Sequence, residues 1–156
     1  MIDLLRQFAF LTIILSLLSC GGSKPITGDP SVEKPKSSSS FNFERSDMLM
    51  PALEKAKREG KLVFVDMYTT WCAPCKLMDR DVFTDRALAK FYNDNFVSLK
   101  VDAEKGNGTN LATIFSVSLY PTLLFLDADG NVLVRKQGAA YQTEMRALAN
   151  EALAAP

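Results

Sequence analysis

The stretch that most constrains this chain is Leu62-Val63-Phe64-Val65-Asp66-Met67-Tyr68, followed closely by Trp71-Cys72-Ala73-Pro74-Cys75-Lys76. The apolar run reads as a β-strand, and the two cysteines, three positions apart, open a helix. A helix N-terminus carries partial positive charge and unpaired N–H groups, so a cysteine placed there is stabilised as its thiolate. The thiolate is the form that attacks disulfides. The second cysteine lies one helical turn on, close enough to close a bridge and release whatever the first has captured. A strand feeding Cys-x-x-Cys at a helix start is a redox arrangement.

Composition narrows the chemistry. The 156 residues allow one domain with a real core plus extra segments. Eighteen basic residues balance eighteen acidic ones, so no electrostatic case exists for nucleic acid as a partner. Histidine is absent, which removes His acid–base catalysis, Cys–His pairs and His metal ligands together. Cys-x-x-Cys also serves zinc, but a structural zinc site takes four ligands. Cys20 is the one cysteine left over, so we expect no metal and no cofactor beyond a redox-active Cys72–Cys75 disulfide. A purely structural disulfide stays open at this point.

The third cysteine has its own context. Arg6 precedes an unbroken run, Phe8 to Leu18, that is apolar apart from Thr12 and Ser16. That is the length of a signal-peptide core and too short to span a bilayer. It ends in Leu17-Leu18-Ser19-Cys20, which resembles the lipobox of bacterial lipoproteins. The resemblance implies cleavage of residues 1–19, lipid attachment at Cys20 and stable membrane anchoring through several acyl chains. The alternative is an ordinary signal peptide with an incidental cysteine. Residues 20–40 hold one Ile and one Val among Gly, Ser, Pro and Lys, too little apolar surface to fold. They read as a flexible tether with a root-mean-square span of about 25 Å.

From Phe41 to Pro156 the pattern is globular. Ser46 or Asp47 is placed to cap a helix that presents Leu49, Ala52, Leu53 and Ala56 on one face and ends at Gly60. After the strand Leu62–Tyr68, the expected elements are a helix from Cys72 to about Arg80 and a second over Arg86–Asn93, capped by Thr84 or Asp85. Leu88 and Phe91 are candidates for that second helix's buried face. Next come a strand over Phe96–Val101, a break at Gly106-Asn107-Gly108 and a short helix capped by Thr109 and running to Phe115. Thr122–Leu126 and Val132–Lys136 flank Asp129-Gly130, a hairpin signal. A last helix covers Gln142–Leu153. The charges Asp79-Arg80-Asp81 and Lys76 read as solvated, and the methionines as core. This order gives parallel strands joined by helical crossovers, closed by an antiparallel hairpin: an α/β fold with a central mixed sheet flanked by helices.

The order of elements and several motifs together resemble the thioredoxin family over about Phe41–Leu153. Trp71-Cys72-Ala73-Pro74-Cys75-Lys76 is similar to its Trp-Cys-x-Pro-Cys-Lys site. Asp66, six residues before Cys72, falls where the family carries a buried acid that helps proton transfer at the second cysteine. Tyr120-Pro121-Thr122 matches the family's cis-proline segment, which pairs with the incoming peptide. Gly138 matches a glycine after the last strand. Asp81-Val82-Phe83 followed by Thr84-Asp85 resembles the thioredoxin-like domains of the C-terminal DsbD type. Ser98 stands where thioredoxin has a lysine near the buried acid, with Lys100 two residues on.

The resemblance implies a thiol–disulfide oxidoreductase. Cys72, Cys75 and Asp66 would be catalytic, and Trp71, Tyr120, Pro121 and Thr122 would contact substrate. Protein thiol or disulfide clients and a membrane electron donor are the implied partners. With the lipobox, the implied location is the bacterial cell envelope, the domain lying outside the cytoplasm. The alternatives are a non-catalytic binding module with a structural disulfide, a thiol oxidase or isomerase, and a metallochaperone; the last resembles Cys-x-x-x-Cys with a distant histidine, which this chain lacks.

Overall fold

A computed structural model describes residues 40–155 except Arg45. Cys20, the lipobox and the tether up to residue 39 lie outside the described residues. The elements run β1 (Phe43–Glu44), α1 (Leu49–Glu59), β2 (Leu62–Tyr68), α2 (Ala73–Asp81), α3 (Arg86–Asn95), β3 (Phe96–Asp102), α4 (Gly108–Ile114), β4 (Thr122–Leu126), β5 (Val132–Gln137) and α5 (Gln142–Leu153). Among the described residues the strands form one sheet in the order β1-β3-β2-β4-β5. β1 and β2 both run parallel to β3, while β4 is antiparallel to β2 and β5 antiparallel to β4. This is the mixed α/β sheet flanked by helices that the element order implies.

Strand alternation divides the sheet into two faces. Val63, Val65 and Met67 of β2, with Val97, Leu99 and Val101 of β3, point to a layer closed by Ala52, Leu53 and Ala56 of α1 and Leu111 of α4. Phe64 of β2 and Phe125 of β4 point the other way, against Met78 of α2, Leu88 and Tyr92 of α3, and Met145 and Ala149 of α5. Asp66 shares parity with Phe64 and so lies on that second, aromatic face. Tyr92 is completely buried there, and its hydroxyl donates to the Met145 carbonyl at 2.7 Å.

Several local details depart from what the sequence pattern implies. The two-residue β1 has no periodicity of its own and exists through its pairing with β3, Phe43 opposite Ser98. α1 starts after Met48 without a side-chain cap. Asp47 instead takes the Asn107 N–H at 2.6 Å, and its carbonyl takes the Asn107 side chain at 3.1 Å, pinning the loop before α4. Thr109 lies inside α4, behind Asn107, and its hydroxyl donates back to the Gly106 carbonyl. Asp85, by contrast, caps α3 by accepting from the Leu88 N–H at 2.7 Å. Gly60 ends α1 at φ 63°, the left-handed conformation that glycine adopts without a Cβ clash. On α3 the buried positions are Leu88, Ala89 and Tyr92, leaving Phe91 half-buried. Met67, Met78 and Met145 are core, but Met48 and Met50 are exposed at the start of α1.

Candidate active site

β2 delivers the chain to the top of the sheet, and α2 begins there with Cys72 as its N-cap residue and Pro74 in its first turn. Proline suits that turn because its missing N–H would have no helical partner. Cys72 and Cys75 are joined as a disulfide, with Cα atoms 5.3 Å apart, and both are 2% exposed. The Cys75 N–H donates to Cys72 Sγ at 3.1 Å. Cys72 sulfur thus receives one of the orphan donors of the helix start, the setting that favours a thiolate there.

The neighbouring loops bring the other expected residues alongside. Trp71 is 64% exposed, its ring edge-on to Tyr120 with centroids 5.9 Å apart. Its indole N–H donates to both carboxylate oxygens of Glu104 at 3.0 Å. The Tyr120–Pro121 peptide is cis, as the family resemblance implies. Pro121 is buried, and its carbonyl accepts from the Gly138 N–H at 2.8 Å, where Gly138 has φ 84°. Thr122 is fully buried, pairs in the sheet with Met67 and Gln137, and its hydroxyl donates to the Leu119 carbonyl at 2.6 Å. Among the described residues, Tyr120 is therefore the polar-backbone position of this segment that neither sheet pairing nor a turn hydrogen bond occupies. Lys76 is solvated, as expected.

Behind the cysteines, Asp66 is 1% exposed and pairs in register with Lys100 on β3. Lys100 Nζ lies 2.5 Å from Asp66 Oδ2 and 2.7 Å from Asp79 Oδ1 of α2. Burial pushes the Asp66 carboxyl above the ordinary carboxylate range, more than the nearby ammonium pulls it down, and Asp79 adds to the upward push. Burial also works against the Lys100 charge, but the two carboxylates outweigh it and hold the amine above its usual value. Asp66 Oδ1 has no protein partner among the described residues.

Asp79 and Glu104 are site neighbours that the residue patterns did not single out, and Lys100, noted two residues after Ser98, is the lysine that reaches the buried acid. Lys100 shares parity with Ser98 on β3 and faces the same side as Asp66, so it takes the place of the lysine missing at 98. Asp79 is exposed, as its charged neighbourhood implies, yet it also pairs with Lys100 from one turn after Cys75 on α2. Arg80 and Asp81 do pair with each other at the surface. Among the described residues no cluster of three or more His, Cys, Asp or Glu is arranged to hold a metal.

A family model described as thioredoxin-like matches residues 47–128, more than half of the chain. The chain belongs to the thioredoxin-like family of thiol–disulfide oxidoreductases. It is 34% identical over 102 residues to the thiol:disulfide interchange protein DsbD of Actinobacillus pleuropneumoniae, matching 64% of this chain but 17% of that protein. The chain therefore spans about a sixth of the length of the DsbD relatives it matches. It is also 33% identical over 94 residues to thioredoxin H4 of Arabidopsis thaliana, covering 60% of this chain and 74% of that one. Among solved structures, a Bacteroides thetaiotaomicron protein named as a candidate disulphide-isomerase superposes with TM-score 0.66 at 38% identity, over 75% of this chain and 96% of its own. The DsbH oxidoreductase shares the fold at TM-score 0.63 and 19% identity, over 89% of this chain and 96% of its own. Val82 and Phe83, the pair that pointed to the DsbD type, are both buried after α2 in the aromatic layer.

Proposed function

We propose that this protein is a lipid-anchored thiol–disulfide oxidoreductase of the bacterial cell envelope that reduces disulfides in client proteins. The observation that carries the exchange chemistry is the Cys72–Cys75 pair at the start of α2, with the Cys75 N–H on Cys72 Sγ. In the reduced enzyme Cys72 is the nucleophile. Its thiolate attacks one sulfur of a client disulfide, forming a mixed disulfide and releasing the other client sulfur as a thiolate. Cys75 then gives up its proton, with Asp66 as the acceptor, and attacks Cys72 Sγ. The client leaves with both thiols reduced, and the enzyme holds the Cys72–Cys75 disulfide, two electrons poorer. A membrane dithiol donor restores it.

Trp71 and Tyr120 form the wall against which the client lies, and the free backbone groups of Tyr120 hold its chain, with Pro121 and Thr122 setting that segment's course. Burial raises the Asp66 carboxyl above its ordinary value and so favours its protonated form, the direction that suits a proton acceptor for Cys75. The likeness to DsbD, a thiol:disulfide interchange protein, supports protein thiols and disulfides as partners. The likeness to the candidate disulphide-isomerase favours a second reading, isomerisation, which shares the first attack but returns the electrons to the same client.

Equilibration with glutathione decides the direction. A potential near or below about −230 mV supports the reductase, and one near −120 mV would make the protein an oxidant. For the anchor, Cys20→Ser should release the domain in soluble form; retention at the membrane would overturn lipid attachment at Cys20.

A further inference from the structure

We propose that Asp79 is a positioning residue for the buried Asp66: by holding Lys100 from the solvent side of α2, it divides one ammonium between two carboxylates and so sets how firmly Asp66 keeps its charge. This inference deepens the exchange reading above and rests on it for its consequence at Cys75, though not for its geometry.

The three groups form a line from core to solvent. The side chains of Asp66, Lys100 and Asp79 are 1%, 19% and 44% exposed. The ammonium contacts both carboxylates and is enclosed by rings, with centroids of Tyr68 at 4.5 Å, Phe83 at 5.0 Å and Phe43 at 5.7 Å. Those rings restrict where the ammonium sits, so it does not swing away to serve one carboxylate alone. Each element around it contributes identifiably: Asp66 and Tyr68 from β2, Lys100 from β3, Asp79 from α2, and apolar Leu123 opposite Asp66 on β4. No other charged side chain among the described residues pairs with Asp66 or Lys100.

Two consequences follow from charge alone. A cation shared between two anions stabilises each less than it would stabilise one, and a second anion nearby disfavours ionisation of the first. Removing the Asp79 charge therefore helps Asp66 ionise, while removing the Lys100 charge hinders it. A mere brace between α2 and β3 predicts no such opposition. Because Asp79 stands one turn after Cys75 on the same helix, the tie also fixes Asp66 relative to the helix that carries the resolving thiol.

The test is a ¹³C NMR titration of the Asp66 carboxyl in the oxidised full chain, in wild type, Asp79→Asn, Asp79→Glu and Lys100→Gln. Expected are a downward midpoint shift in Asp79→Asn, a return to the wild-type midpoint in Asp79→Glu, and an upward shift of about one pH unit or more in Lys100→Gln. An unchanged or raised midpoint in Asp79→Asn overturns the inference. If Lys100→Gln does not fold, the two variants at the half-exposed position 79 still decide it. Insulin reduction is measured in parallel. Loss of turnover in every protein, wild type included, with the midpoint shifts intact, would refute the exchange reading and leave the charge-sharing standing.

Discussion

The two faces of the sheet are made by the same strands, yet they differ in kind. On the α1/α4 side, β2 and β3 present Val63, Val65, Met67, Val97, Leu99 and Val101, an aliphatic layer with no charged member. On the α2/α3/α5 side the same strands present Phe64, Asp66, Phe96, Ser98 and Lys100, so that face starts aromatic and turns ionic towards the cysteines. Burying a charge costs several kcal/mol unless it is paired. The fold therefore confines its buried ions to the end of the one face that α2 covers. The aliphatic face is packing alone, and the other combines a packed aromatic base with a charged platform beneath Cys72 and Cys75.

This contrast is open to attack by substitution. The largest effect is expected at the aromatic base, where Phe64 is fully buried between Tyr92 and Phe125, with ring centroids 5.0 and 5.2 Å away. Phe64→Ala should cost about 3–5 kcal/mol in urea unfolding. Val65→Ala, its neighbour on the aliphatic face, should cost about 2 kcal/mol, roughly 0.8 for each buried carbon lost. Equal costs would mean that the two faces do not differ in how they hold the sheet.

The ionic end carries a pH signature. The Asp66 carboxyl is raised in the folded state, so its contribution to stability is complete below its unfolded value near 3.8 and is lost as pH rises through the folded value. Surface carboxylates such as Asp127, held low chiefly by its Asn131 hydrogen bond, act in the opposite sense. The relevant quantity is thus a difference: wild-type stability minus that of Asp66→Asn should fall as pH rises from 4 upward. A flat difference would show that burial does not govern this carboxyl.

The smallest stability effect is expected at the rim. Glu104→Ala removes the carboxylate that holds the Trp71 indole at the surface, and surface changes of this kind cost within about 0.5 kcal/mol. The chain has one tryptophan, so fluorescence reads that position directly. Emission should change while the urea midpoint stays nearly constant; a substantial loss of stability would mean that Glu104 belongs to the core's support.

Much of this fold and site is legible in the sequence. Leu62–Tyr68, apolar apart from Asp66, and Thr122–Leu126 are short runs whose expected limits match the strands. The Cys72 position and the cis Tyr120–Pro121 peptide followed from motif resemblance. What escaped were effects that arise between distant segments. β1 is too short to carry a pattern and depends on its neighbour β3. Asp47 looked like a local cap, but a partner 60 residues away claimed its carboxylate. Asp79 sits among charges and is exposed as that implies, but its ion pair escaped because the partner is on another element. The alternation that placed Lys100 on the same side as Asp66 was present in the sequence, but only the strand register put the two side by side.

The most direct measurement of the central claim is capture of the exchange intermediate. Reduced Cys75→Ser protein, incubated with a disulfide-bonded client such as insulin, should accumulate a mixed disulfide that mass spectrometry maps to Cys72. Reductant should release it, and Cys72→Ser should form no such adduct. Absence of any adduct through Cys72, or an equal yield through Cys75 in Cys72→Ser, would contradict the assignment of Cys72 as nucleophile and Cys75 as the resolving thiol.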